Sequence, residues 1–252
     1  MNKPASQTVY KALSIILALA VWQIVSMIVG MDMLLASPFA VIKRLATIWL
    51  EADFWQTVLF SVLRITSGYL LAFAAGVILA VLAHRFRTVE TLLWPYIVTI
   101  KSVPVASFII LCLIWFSFTQ LTVFIAFLIS FPVIYSNVLA GLKSTDPRMT
   151  EMARLYRMTW PKQLLYVYLP AVKPGLISAC SIAAGMAWKS GVAAEVIGLV
   201  NGSIGERLYE AKIYFQNADL LSWTIIIVLL SVLLEKAFIG ILKLIFRGLE
   251  RI

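Results

Sequence analysis

Residues 151–175 read EMARLYRMTWPKQLLYVYLPAVKPG. The stretch decides the fold through its contrast with its surroundings. It carries Glu151, Arg154, Arg157 and Lys162, while 120–141 before it and 170–194 from its end onward are almost wholly apolar. An ionised side chain in hydrocarbon costs several kcal/mol, so charge confined to gaps between apolar runs marks a chain that crosses a membrane. Within the stretch the residues repeat at helical spacing. Asp146-Pro147 is a helix start, an acidic cap with proline in the first turn. Met149, Met152, Ala153 and Tyr156 then fall at i, i+3, i+4 and i+7, one apolar face of a short helix. Thr159 is placed to cap a second helix with Pro161 in its first turn, and Pro161, Leu164, Leu165 and Tyr168 repeat the pattern. Leu169-Pro170 is expected to end that helix and turn the chain back into the bilayer.

Composition agrees. The 252 residues are 62% hydrophobic and 13% charged, against about 45–50% and about 25% in soluble domains. The net charge of +9 does not indicate nucleic acid, because the basic residues lie in short gaps between apolar runs, as in positive-inside membrane loops. Cys112 and Cys180 each sit in an apolar run with no Cys-x-x-Cys pair, which points to packing residues. With one histidine, His84, no metal site built on histidine is expected. The apolar run from Leu13 to Val29 is longer than a signal-peptide core and reads as a retained first span.

A span needs roughly 20 mostly apolar residues. Segments of about 10–30, 57–83, 91–116, 120–141, 170–194 and 219–245 qualify, giving an all-α membrane protein of six transmembrane helices in one domain, 1–252. Pro95, Pro104 and Pro132 predict broken or kinked helices near a pathway. One set of gaps holds Lys3, Lys11, Arg85, Arg87, Lys143, Arg148, Arg154, Arg157, Lys162, Lys173, Lys236, Lys243, Arg247 and Arg251. The other holds only Lys43, Arg44, Arg207 and Lys212. The first set is expected on the cytoplasmic side, with both termini. SPFAVIKRLATIWL at 37–50, capped by Ser37-Pro38 and with Phe39, Ile42, Leu45, Ala46 and Trp49 at helical spacing, reads as an outer helix in the interface plane. No internal repeat is visible.

The loop also resembles a known family. Glu-x-Ala-x-x-x-Gly, nine residues, then aliphatic-x-Leu-Pro is the "EAA" pattern of ATP-binding-cassette (ABC) importer permeases. Glu151, Ala153, Val167, Leu169 and Pro170 stand at matching positions, and Met152 replaces a motif alanine. Leu142 to Pro147, Ala187-Trp188 and Val192 to Glu195 resemble the branch that imports nitrate, sulfonate, taurine and related solutes. The resemblance implies a type I importer permease of the bacterial inner membrane, working as a dimer, likewise a homodimer here, on two cytoplasmic ATPases and fed by an extracytoplasmic binding protein. The coupling loop would be about 143–169, with Asp146, Glu151, Ala153, Arg154, Arg157, Leu169 and Pro170. Arg157 replaces the motif glycine. Glycine takes positive φ at little cost, so a wider or purely right-handed turn is expected here. No Gly-x-x-x-x-Gly-Lys-[Ser/Thr] phosphate loop is present, so no cofactor is expected in this chain, with ATP and magnesium in the partner.

Three basic residues fall within spans. Arg64 lies about 10 Å from the outer end of its helix and is read as snorkelling outward. Lys189 either snorkels or lines a pathway. Lys101 lies about 15 Å along its span, near mid-bilayer, between Pro95 and Pro104. A charge at that depth is by default a functional candidate; the alternative is a structural lysine bonded to carbonyls freed by a broken helix. The candidate pathway is therefore Lys101, Ser102, Pro104, Trp188, Lys189 and Glu195, with Glu195 expected to pair with a basic residue at an outer gate. Lysines unpaired by acids in spans three and five favour a small anionic solute; a neutral or aromatic one is the alternative. An ion-coupled transporter would need repeats and paired intramembrane acids, and a membrane enzyme a clustered acid, His or metal-ligand set; the sequence shows neither.

Overall fold

Backbone N–H and C=O groups find no water in hydrocarbon, so apolar runs must satisfy them internally and become helices. The computed structural model describes residues 4–31 and 33–249, and no strand occurs among them. The helices are α1 (Pro4–Val29), α2 (Pro38–Ile48), α3 (Phe54–Arg85), α4 (Arg87–Ser102), α5 (Val105–Cys112), α6 (Phe118–Lys143) and α7 (Pro147–Leu155). After α8 (Trp160–Gln163), a π-turn (Leu164–Tyr168) leads into α9 (Leu169–Gly198), followed by α10 (Ile204–Ile213) and α11 (Asn217–Leu249). Lys3 and Arg251 lie outside the described residues.

The core is a three-helix stack, with α6 held between α3 and α9. Leu121, Ile125, Ala126 and Ile134 of α6 are fully buried. Gly68 permits the approach of α3, since a Cβ there would stand 2.3 Å from the Val123 carbonyl oxygen. Small residues at a crossing let membrane helices pack where no hydrophobic drive exists between them.

Four helices are long and apolar enough to cross a membrane, or five when α4 and α5 count as one broken span. A shorter apolar stretch covers Leu13–Val29 of α1. The third span, 91–116, is broken, as its prolines predict, and the break falls at Pro104, where α4 and α5 meet at 105°. Val103, restricted by the following proline, and Pro104 both have extended ψ, 134° and 135°. Two extended residues in succession end one helix and re-aim the next. Pro95 and Pro132, by contrast, lie inside continuous helices.

The expected stop at Leu169-Pro170 is corrected. Trp160–Gly198 runs as one helical rod of 39 residues. The π-turn absorbs the proline: the Leu169 N–H donates to the Leu164 carbonyl, five residues back, where the wider turn relieves crowding by the ring of Pro170.

On the opposite face, Ser37 accepts from the Ala40 N–H at 3.2 Å with Pro38 in the first turn. Val41 and Ile48 of α2 are buried, and α2 lies on α11. Phe39, Ile42 and Trp49 point away from the protein, as an interfacial helix requires. Arg44 pairs with both Asp219 and Glu51.

Candidate functional site: the broken span and the coupling loop

The loop that opened the sequence reading is an amphipathic helix with its apolar face uncovered. Asp146 caps α7, its carboxylate accepting from the Arg148 N–H at 2.9 Å. Of the predicted apolar face only Ala153 is buried. Met149 and Met152 are exposed, and Leu155 and Tyr156 are 83% and 77% accessible. Glu151, Arg154 and Arg157 are exposed as well. The helix is therefore seated on the protein through Ala153, with the rest of its apolar face uncovered.

Arg157 overturns the expected right-handed turn. Its φ is +50°, the conformation glycine would supply. The Met158 N–H donates to the Ala153 carbonyl at 2.9 Å and the Arg157 N–H to Arg154 at 2.9 Å. This pair of bonds is a Schellman cap. It satisfies carbonyls at the end of α7, and those two bonds offset the left-handed cost at an L-residue. Thr159 sits at the next helix start, but its side chain makes no capping bond.

The candidate pathway residues divide into two groups. Lys101, Ser102, Pro104 and Lys189 are exposed. Lys101, in the last turn of α4 beside the break, donates through Nζ to Ser136 Oγ of α6 at 2.7 Å. An ammonium has three donors, so this bond leaves others for a ligand. Ser102 donates to the Val98 carbonyl at 2.8 Å. Exposed Thr99 and Asn137 add polar groups on the same two helices.

Trp188 and Glu195 are internal. Trp188 donates its indole N–H to the Ile227 carbonyl at 2.8 Å, fastening α9 to α11. Glu195 is fully buried and makes no ion pair among the described residues. Its Oε2 accepts from Ser61 Oγ at 2.8 Å and from the Gly205 N–H at 3.3 Å, while Ser61 accepts from the Ile204 N–H at 2.9 Å. The carboxylate thus anchors the start of α10. Arg64 reaches outward, donating to the Thr119 carbonyl at 2.8 Å and stacking on Phe60.

Sequence reasoning misses Glu235, midway along α11. It accepts from Ser181 of α9 and lines a cavity of about 220 Å³ with Tyr69 and Trp188. A lone acid in the middle of the last apolar run is the signal that would have found it.

A bundle whose span breaks beside an exposed ammonium, and whose connecting loop holds up an uncovered amphipathic helix, defines a multi-pass transport permease. The comparisons agree. Residues 68–251 match the family described as binding-protein-dependent transport system inner membrane component, and the chain belongs to that family. It is 25% identical to the taurine transport system permease protein TauC of Escherichia coli, over 85% of this chain and 80% of TauC. It is 27% identical to the formylaminopyrimidine transport permease protein ThiX of Halalkalibacterium halodurans, over 79% of this chain and 80% of ThiX. A crystal structure of an amino acid ABC transporter with histidines superposes with a TM-score of 0.61 at 17% identity, covering 81% of this chain and 97% of the other, which shows the fold. As a transport component, the chain is not itself an enzyme.

Proposed function

We propose that this chain forms half of the translocation pathway of an ATP-driven importer and is driven through its loop at 146–168. The observation that carries the reading is the uncovered face of α7, Met149, Met152, Leu155 and Tyr156. A helix in this state fits a groove on a soluble partner. The family points to a cytoplasmic ATPase dimer that binds ATP and magnesium, with an extracytoplasmic binding protein delivering solute on the other side. The loop side, with the basic residues and both termini, is then cytoplasmic. If Glu151 makes a charge-assisted contact worth ~1–3 kcal/mol there, Glu151→Lys weakens ATPase association about tenfold or more and stops transport, while the permease still inserts. Wild-type transport by that variant refutes the coupling role.

A second copy of the chain completes the pathway. Lys101, Ser102 and Lys189 are exposed on membrane helices, and polar groups facing lipid are costly. A two-fold axis turns them towards a shared interior and presents each lysine twice. That interior attracts an anion. The relatives' names include taurine, which carries a sulfonate, and formylaminopyrimidine, which does not; the exposed ammonium of Lys101 favours a small sulfonate, nitrate or carboxylate. Attraction has to stay modest for the solute to leave. Lys101→Met is expected to lose transport and Lys101→Arg to keep part of it, with insertion and ATPase binding matched to wild type. Full transport by the methionine variant overturns the anion reading in favour of a neutral or aromatic solute.

A further inference from the structure

At the loop end of the bundle, α3, α4 and α6 enclose a groove of about 550 Å³. Its charged walls are Arg85 and Arg87 from the α3–α4 junction, Glu90 from the first turn of α4, and Lys143 from the last turn of α6. Lys143 Nζ contacts Glu90 Oε1 at 2.6 Å. Neither Arg85 nor Arg87 makes an ion pair among the described residues. Three fixed positive charges thus face one negative charge, and that one is already engaged by Lys143. Positive-inside topology accounts for basic residues on this side, but not for their convergence on one cavity.

The rest of the groove is amphiphilic. Arg87, Thr91 and Trp94 follow at four- and three-residue steps, so they share a face of α4, and Thr91 and Trp94 line the cavity. Trp94 is 66% exposed. The charged end of α4 therefore passes within two turns to the exposed ring of Trp94.

We propose that this groove binds a phosphate-bearing anion, supplied by the headgroup of an anionic phospholipid. Two unpaired guanidinium groups offer planar, paired N–H donors that match phosphate oxygens. Basic pockets between membrane helices on the cytoplasmic side suit such headgroups, because the leaflet there is negatively charged. A dissolved phosphate would use only the charged walls; a lipid also covers the exposed ring of Trp94. Glu90 sets the strength of the site by holding Lys143 and opposing the incoming charge. The lipid source rests on the orientation proposed above, which thiol labelling tests separately.

The test uses the full chain in nanodiscs of phosphatidylcholine, titrated with brominated phosphatidylglycerol or brominated phosphatidylcholine. Quenching of Trp94 is read as the difference between the wild type and Trp94→Phe. Brominated phosphatidylglycerol is expected to quench at lower mole fraction than brominated phosphatidylcholine. Arg85→Gln with Arg87→Gln is expected to weaken that preference about 30-fold, at ~1 kcal/mol per basic side chain, and Lys243→Gln, outside the groove, to leave it unchanged. Arg85→Lys with Arg87→Lys, which keeps the charge but loses the paired donors, weakens the preference less than the double glutamine variant, and Glu90→Gln strengthens it. The last two variants keep the positive charge, so they decide the matter even where the double glutamine variant fails to insert. Inorganic phosphate at constant ionic strength separates the sources: no displacement of the brominated lipid supports the headgroup, and displacement assigns the site to free phosphate. Equal quenching by both lipids, or a preference unmoved by Glu90→Gln and by the double glutamine variant, overturns the proposal.

Discussion

Replacing Arg157 tests how the coupling helix ends. The residue holds φ +50° and closes a Schellman cap in which the Met158 N–H bonds to Ala153. An L-residue in the left-handed region costs roughly 1–2 kcal/mol relative to the right-handed one. Glycine removes that strain but gives back ~0.4–1 kcal/mol through the greater freedom of its unfolded chain. Arg157→Gly should therefore stabilise the cap by about 0.5–1 kcal/mol, the difference between those two figures. Arg157→Val should destabilise it by ~1 kcal/mol or more, because a β-branched residue is a true outlier at positive φ. Hydrogen exchange at the Met158 amide reads the cap directly. Since each 1.4 kcal/mol is tenfold, protection is expected to rise about two- to fivefold in the glycine variant and to fall about fivefold or more in the valine variant, on the differences given above. Transport by the glycine variant should persist, since the turn keeps its shape. Unchanged or lower protection with glycine, or equal protection with valine, would refute the claim that the left-handed turn is strained and bonded in this way.

Two further outcomes test the architecture. Gly68→Ala places a Cβ against the Val123 carbonyl oxygen, a backbone atom that cannot rotate aside, and should lower stability by ~1–3 kcal/mol through overpacking. Gly240→Ala, with nothing within 4 Å of the added carbon, should be neutral or gain up to ~1 kcal/mol of helix propensity; steric unfolding in detergent compares the two, and equal stability would remove α3–α6 contact at Gly68 from the core. For orientation, Thr145→Cys should resist an impermeant thiol reagent added to intact cells and Asn201→Cys should react; labelling of the first overturns the proposed sidedness.

The sequence by itself determined what depends on solvent and on local geometry. Hydrocarbon admits few charges, so the apolar runs at 57–83, 120–141, 170–194 and 219–245 read directly as spans, and they lie within α3, α6, α9 and α11. Capping is equally local: Ser37-Pro38 and Asp146-Pro147 start α2 and α7 because a side-chain oxygen and a preset φ act within one turn. The spacing of Met149, Met152, Ala153 and Tyr156 showed an apolar face for the same reason.

Only the tertiary structure decided how helix ends resolve and which side chains remain open. Three prolines in spans look alike in sequence, yet Pro104 breaks its helix and Pro132 does not, because Val103 and Pro104 extend together while α6 is held along its length between α3 and α9. Arg157 adopts a turn that its own preference disfavours, because two backbone bonds at the end of α7 outweigh the local cost. Glu195 and Lys101 are both charged residues in apolar runs, but one is sealed against α10 by Ser61 and Gly205 and the other stays exposed on α4. The surroundings of Glu195 and Lys101 depend on partners 10 to 134 residues away in the chain, and contacts at such separations are set by the packing of helices rather than by the composition of any one of them.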